Sequence, residues 1–153
     1  MAWLRFQMDL SDTPEDSLIL GELAIMEGDK ADKTFTVTSG IPPYQHKRSE
    51  HLIKKGPIPS CDSVDLNGYF VNTQPLDRRE TVGIEGNFYW VDIPPKVTIN
   101  RVERSEFGIH FDANVPGSAG CIVFQNQADW KFFQGFMASY FKFLWLISLT
   151  MTF

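Results

Sequence analysis

Over the first 125 residues, apolar and polar positions alternate in short runs broken by Gly, Pro, Asn and Asp. That twofold spacing predicts a mostly β chain. Residues 19–26 and 34–38 read as the arms of a hairpin around Glu27-Gly-Asp-Lys-Ala-Asp32. In the second arm Phe35 and Val37 face in while the threonines face out. Strands are expected again over 69–73, 88–93, 97–101 and 107–112, and a short strand or turn over 120–124. Residues 1–17 read as an N-terminal extension. Residues 40–66 contain Gly40-Ile-Pro-Pro43 and Gly56-Pro-Ile-Pro59 and are too proline-rich for central strands. A loop this long in a compact domain is commonly functional, and its prolines suit a lid that walls a cleft.

After residue 125 the period changes. Asn126 suits a helix cap with Asp129 three residues on, and Trp130, Phe133, Met137, Tyr140, Phe141 and Leu144 recur at helical spacing. A helix is therefore expected over 126–144. From residue 145 the period becomes two: Trp145, Ile147, Leu149, Met151 and Phe153 alternate with Leu146, Ser148, Thr150 and Thr152. A terminal strand over 145–153 follows. Residues 133–153 carry one charge, Lys142, and are long enough for a membrane span, but clean twofold alternation argues against one.

The length of 153 residues, with 43% hydrophobic and 22% charged content, describes one ordinary folded domain. A net charge of −5 argues against general nucleic-acid binding. Two cysteines, Cys61 and Cys121, are too few for a disulfide scaffold. The N-terminal Met-Ala-Trp-Leu-Arg-Phe-Gln-Met-Asp does not read as a secretory signal peptide, so synthesis in the cytoplasm is expected.

Candidate chemistry is concentrated between Gly108 and Phe124. On a strand over 107–112, Phe107, Ile109 and Phe111 share one face, and Gly108, His110 and Asp112 the other. A turn through Pro116-Gly117 brings Cys121 back beside His110. A thiol nucleophile needs a base, and it needs backbone N–H groups to hold an oxyanion. His110 is the candidate base, and Gly120 leaves the backbone near Cys121 uncovered. A packed cysteine beside a hydrogen-bonded histidine is an equally open reading of the same residues. His110, Asp112 and Cys121 lack the paired ligand spacing of a zinc site, so neither metal nor cofactor is expected. His46 and His51 fall in a charged, solvated run, and Cys61 reads as a bystander.

Ile109-His110 followed by Ser118-Ala-Gly-Cys-Ile122 resembles the signature of the L,D-transpeptidase (YkuD-like) catalytic domain, a strand-borne His, a loop and then Ser/Thr-x-Gly-Cys-Ile/Val. Thr38-Ser39-Gly40 after the hairpin, and Gly56-Pro-Ile-Pro59 before a Tyr-bearing strand, agree in outline. The resemblance implies a compact β-sandwich or barrel-like fold with a cleft over the cysteine. It implies Cys121 as nucleophile, His110 as base, the Phe111 carbonyl orienting His110, the Gly120 and Cys121 amides as oxyanion hole, and Ser118 stiffening the loop. The implied activity is acyl transfer or hydrolysis on peptidoglycan stem peptides, at the cell wall or from within a phage virion. Ala119 and Val123 stand where this family usually has His and Arg, and the His-to-Cys loop is short. A virion or tail component that binds other chains of the particle or the wall, without essential catalysis, is the alternative expectation.

Overall fold

The computed structural model describes residues 1–14, 16–112 and 117–153. Eight strands close into a barrel. Around it run β4 (Tyr69–Asn72), β11 (Leu146–Thr152), β1 (Ala2–Gln7), β2 (Gly21–Glu27), β3 (Lys30–Ser39), β10 (Ile122–Phe124), β9 (Gly108–Phe111) and β6 (Gly86–Ile93), and β6 returns to β4. The three-residue β5 (Leu76–Arg78) adds to the edge of β6 outside the closed ring. The mostly β fold with a single C-terminal helix that the patterning predicts is the fold observed.

Alternation places the core. Leu4 and Phe6 of β1, Leu23 and Ile25 of β2, Phe35 and Val37 of β3, Ile109 of β9, and Ile122 and Phe124 of β10 join one buried cluster, with Tyr69, Tyr89 and Leu149 closing it. Intervening side chains such as Thr34 and Thr36 face solvent. The hairpin β2–β3 turns at Gly28, whose φ of +56° is a left-handed conformation suited to glycine.

The supposed N-terminal extension is a correction. Residues 2–7 form β1, which pairs antiparallel with β2 and parallel with β11, setting Leu4 opposite Leu149. Its burial alternates through Ala2, Leu4 and Phe6, the same twofold signal that marks the other strands. Residues 97–101 also differ from expectation. They contribute β7 (Lys96–Ile99), which turns at Asn100 and Arg101, both at positive φ, into the unexpected β8 (Val102–Ser105).

Helix α1 (Gln127–Phe141) lays Trp130, Phe133 and Met137 on the core, where Phe133 stacks among Phe35, Tyr89 and Phe124. Tyr140 Oη donates to the Ala2 carbonyl at 3.1 Å, tying the last turn to β1. The Asn126 side chain accepts from the Asp129 amide at 3.0 Å. Asn126→Ala is expected to cost about 1 kcal/mol, read as a lower urea midpoint with an unchanged slope. No helix among the described residues is long and apolar enough to cross a membrane.

Residues 40–66 hold no strand or helix, yet hydrogen bonds to the barrel fix them in place. Gln45, Ser49, Ile58, Ser60 and Cys61 are buried. The Gln45 amide bonds Thr38, Ser39 and Ile19, the Ile58 amide donates to Ser39 Oγ, and Tyr69 Oη donates to the Pro59 carbonyl. A buried backbone segment needs such partners, and here the barrel provides them.

Candidate active site

Parallel pairing of β9 with β10 sets Ile109 opposite Ile122 and His110 opposite Val123. Ile109 and Ile122 point into the core, so His110 and Val123 point out. Cys121, two positions before Val123, lies on that same outer face beside Gly108. In register the two lie diagonally, Cys121 one step before Ile122 and His110 one step after Ile109. The residues expected to turn the chain between them, Ala113–Pro116, lie outside the described residues.

His110 is 6% exposed. Its Nδ1 lies 2.8 Å from the Phe111 carbonyl oxygen. A carbonyl only accepts, so Nδ1 carries the proton and Nε2 the free lone pair. Burial lowers the His110 pKa below its ordinary value, against the opposing influence of the Phe111 carbonyl and Asp112. The Phe88 ring stacks on the imidazole with centroids 5.9 Å apart and planes 26° apart. Gly108 makes that possible: a Cβ there would lie 2.1 Å from Phe88 Cζ.

Cys121 is half-buried. Its thiol donates to the Glu106 carbonyl at 3.7 Å, and the sulfur accepts from the Gly108 amide. Desolvation of the sulfur pushes the thiol up to about 12, outweighing the Gly108 amide and the positive charges of Arg104 and Arg78. The resting pair is thus a neutral thiol and a neutral imidazole, not a thiolate–imidazolium ion pair. Ser118 is buried, and its hydroxyl donates to the Cys121 carbonyl. Gly120 has φ +117°, a left-handed conformation that glycine adopts without strain.

Arg104 of β8 escaped the sequence reading. It is 3% exposed and is held by backbone carbonyls: Nη1 donates to Glu50 at 2.6 Å and Pro57 at 2.5 Å, Nη2 to Gly56 at 3.3 Å and Ala119 at 3.5 Å. It also lies over the Phe107 ring, 5.3 Å from the centroid. A Cβ on Gly120 would come within 2.4 Å of Nη2, so glycine lets the turn before Cys121 close against the guanidinium. Burial lowers the Arg104 pKa, and Tyr69, Cys121 and Glu50 oppose that. One buried cation thus ties residues 50–57 to the turn that carries Cys121.

No family model, curated protein or solved structure matches this chain. The case for chemistry rests on this geometry and on the motif that runs from Ile109 to Ile122.

Arg78 was also missed; Phe88 and Trp90 are legible in the sequence as aromatics suited to a core, a partner interface or a glycan platform. The Arg78 guanidinium carbon lies 5.1 Å from the Phe88 centroid and 5.9 Å from that of Trp90. The alternation of Phe88, Trp90 and Asp92 was a legible sign that they share a face; the placement of Arg78 depends on β5, too short to read. The other thiol, Cys61, is buried in the core cluster, accepts from the Met151 amide at 3.4 Å and is raised by desolvation. His46 bonds only its neighbours, with Nε2 2.7 Å from Ser49 Oγ.

Proposed function

We propose that this protein is a cysteine acyltransferase or hydrolase of the L,D-transpeptidase type, acting on peptidoglycan stem peptides. The observation that carries this reading is the outward-facing pair: Cys121 beside Gly108, and His110 two positions along, its Nδ1–H committed to Phe111 and its Nε2 without a partner among the described residues. An unprotonated Nε2 on the thiol's own face is what a general base requires.

In the first half-reaction the thiol proton passes to His110 Nε2 as the sulfur bonds the scissile carbonyl carbon. The oxyanion is held by the Gly120 and Cys121 amides. Collapse breaks the carbon–nitrogen bond, and His110 returns the proton to the departing amine, leaving a thioester on Cys121. An acceptor amine or water then gives its proton to His110, bonds the acyl carbon and releases the thiol. The neutral resting pair fits this order, because proton and acyl group move together and no stable thiolate is needed.

Disaccharide-tetrapeptide incubated with the protein is expected to yield a cross-linked dimer, or a product shortened by its terminal residue, by mass spectrometry. Cys121→Ser should abolish it. Equal product from Cys121→Ser, or none from the native protein with an intact fold, refutes the proposal.

A non-catalytic role within a phage particle is the second reading. What favours it is the exposed apolar set Phe143, Leu144 and Trp145 at the end of α1, with Phe132 on its flank. Exposed aromatics of this kind suit contact with another protein chain.

A further inference from the structure

Strand β5 contributes nothing to closure of the barrel, because β4 and β6 pair directly. Its effect is local. Pairing sets Leu76 opposite Phe88 and Arg78 opposite Gly86, so Leu76 and Arg78 join Phe88, Trp90 and Asp92 on the outer face that also carries His110. Together with Asn72 and Gln74 they line a cavity of about 280 Å3 in which Trp90 lies between Leu76, Arg78 and Asp92.

Three observations point to a ligand here. Arg78 rests on the faces of Phe88 and Trp90, so its guanidinium is oriented by aromatic contact, which leaves the N–H edge available. Among the described residues Arg78 takes part in no ion pair, although the chain carries an excess of carboxylates. Finally, the cavity lies close to the candidate nucleophile: the Phe88 ring contacts both Trp90 and His110, and the charge of Arg78 is felt at the Cys121 sulfur. An oriented guanidinium with free donors beside an apolar floor is half of a bidentate carboxylate clamp.

We propose that Arg78, Trp90 and Leu76 form the subsite for a carboxylate-bearing amino-acid residue of the acyl donor, with the carboxylate on Arg78 and the side chain over Trp90. The cavity is slightly smaller than typical small-molecule sites of about 300–1,000 Å3, so it takes a single residue rather than a length of polymer. Asn72 and Gln74 supply amides for the peptide bond that follows. This subsite rests on Cys121 being the reacting group, and its test separates the two ideas.

Alkylation of Cys121 by iodoacetate and by iodoacetamide, in a Cys61→Ala background, compares a carboxylate with its neutral isostere at one thiol. The ratio of rates, normalised to free cysteine, is expected to favour iodoacetate. It should fall about three- to tenfold in Arg78→Gln, the size of a partly screened ion pair, and be largely kept in Arg78→Lys. A parallel titration follows tryptophan fluorescence with N-acetyl-leucine and N-acetyl-leucinamide, with Trp90→Phe as control. Saturable quenching by the acid alone, lost in Arg78→Gln and in Trp90→Phe, supports the subsite. A rate ratio indifferent to Arg78, or acid and amide quenching alike, overturns it. If the ratio and the quenching both depend on Arg78 while muropeptides are untouched, the subsite stands and the peptidoglycan substrate fails.

Discussion

Arg104→Met should destabilise the protein by about 3–5 kcal/mol, seen as a lower urea midpoint at unchanged slope. Replacing a buried ion pair by a hydrophobe is sometimes neutral because both charges leave together. Here the partners are the backbone carbonyls of Glu50, Gly56, Pro57 and Ala119, and no substitution at position 104 removes them. Methionine fills the volume but leaves several buried acceptors without donors, each costing about 1–3 kcal/mol before relaxation. Arg104→Lys keeps the charge but lacks the forked donors, so it should fall between native and Met. A Met variant as stable as the native protein would show that residues 50–57 are held by their other contacts alone.

The second large effect concerns His110. His110→Ala is expected to slow acylation of Cys121 by an activated ester about 10²–10⁴-fold, the usual range for a positioned general base. The pH dependence follows from the two neutral groups. His110 is lowered below its ordinary 6.5, so it is an unprotonated base across neutral pH, and the rate falls only on acidification beneath that value. Cys121 is raised to about 12, so uncatalysed alkylation should climb steadily from pH 6 to 9 without a plateau. Stability shows the same signs. An unfolded chain binds the His110 proton more readily than the folded one, so acidification below about 6.5 destabilises. Above pH 9 the unfolded thiol ionises before the folded one, and stability falls again. His110→Ala should flatten the acid limb of a Tm-against-pH curve; an unchanged limb would place that dependence on other groups.

How much of this was legible in the sequence depends on which atoms do the work. Side-chain patterns carry the barrel strands and α1, because burial must follow the period of each element: Phe35 and Val37 on one face, Trp130, Phe133 and Met137 on one stripe. The same signal was present in Ala2, Leu4 and Phe6, but three alternating positions alone make a short pattern. In the candidate site, the shared face of His110 and Cys121 is legible from alternation and the short loop between them. Arg104 is not, because its partners are carbonyls, three of them about fifty residues earlier, and backbone acceptors leave no compositional trace. The hydrogen bonds that hold residues 40–66 were illegible for the same reason. Prolines disclose that the segment is irregular, but only the fold shows that Gln45, Ser39 and Arg104 supply its hydrogen bonds. Thiol electrostatics also lay beyond the sequence. A histidine nearby suggests thiolate, whereas desolvation at the sulfur favours the proton.

The parallel pairing of β1 with β11 has a consequence for how the molecule comes into being. Leu4 meets Leu149, so β1 leaves the ribosome well over a hundred residues before its partner β11. The meander β1–β2–β3 can assemble early from local contacts, yet its β1 edge stays open until β11 emerges. Such an edge is a template for pairing with another nascent chain. Ring closure is therefore a late, long-range event, and slowed translation or a crowded polysome should raise misassembly of this protein more than that of a helical domain of equal size.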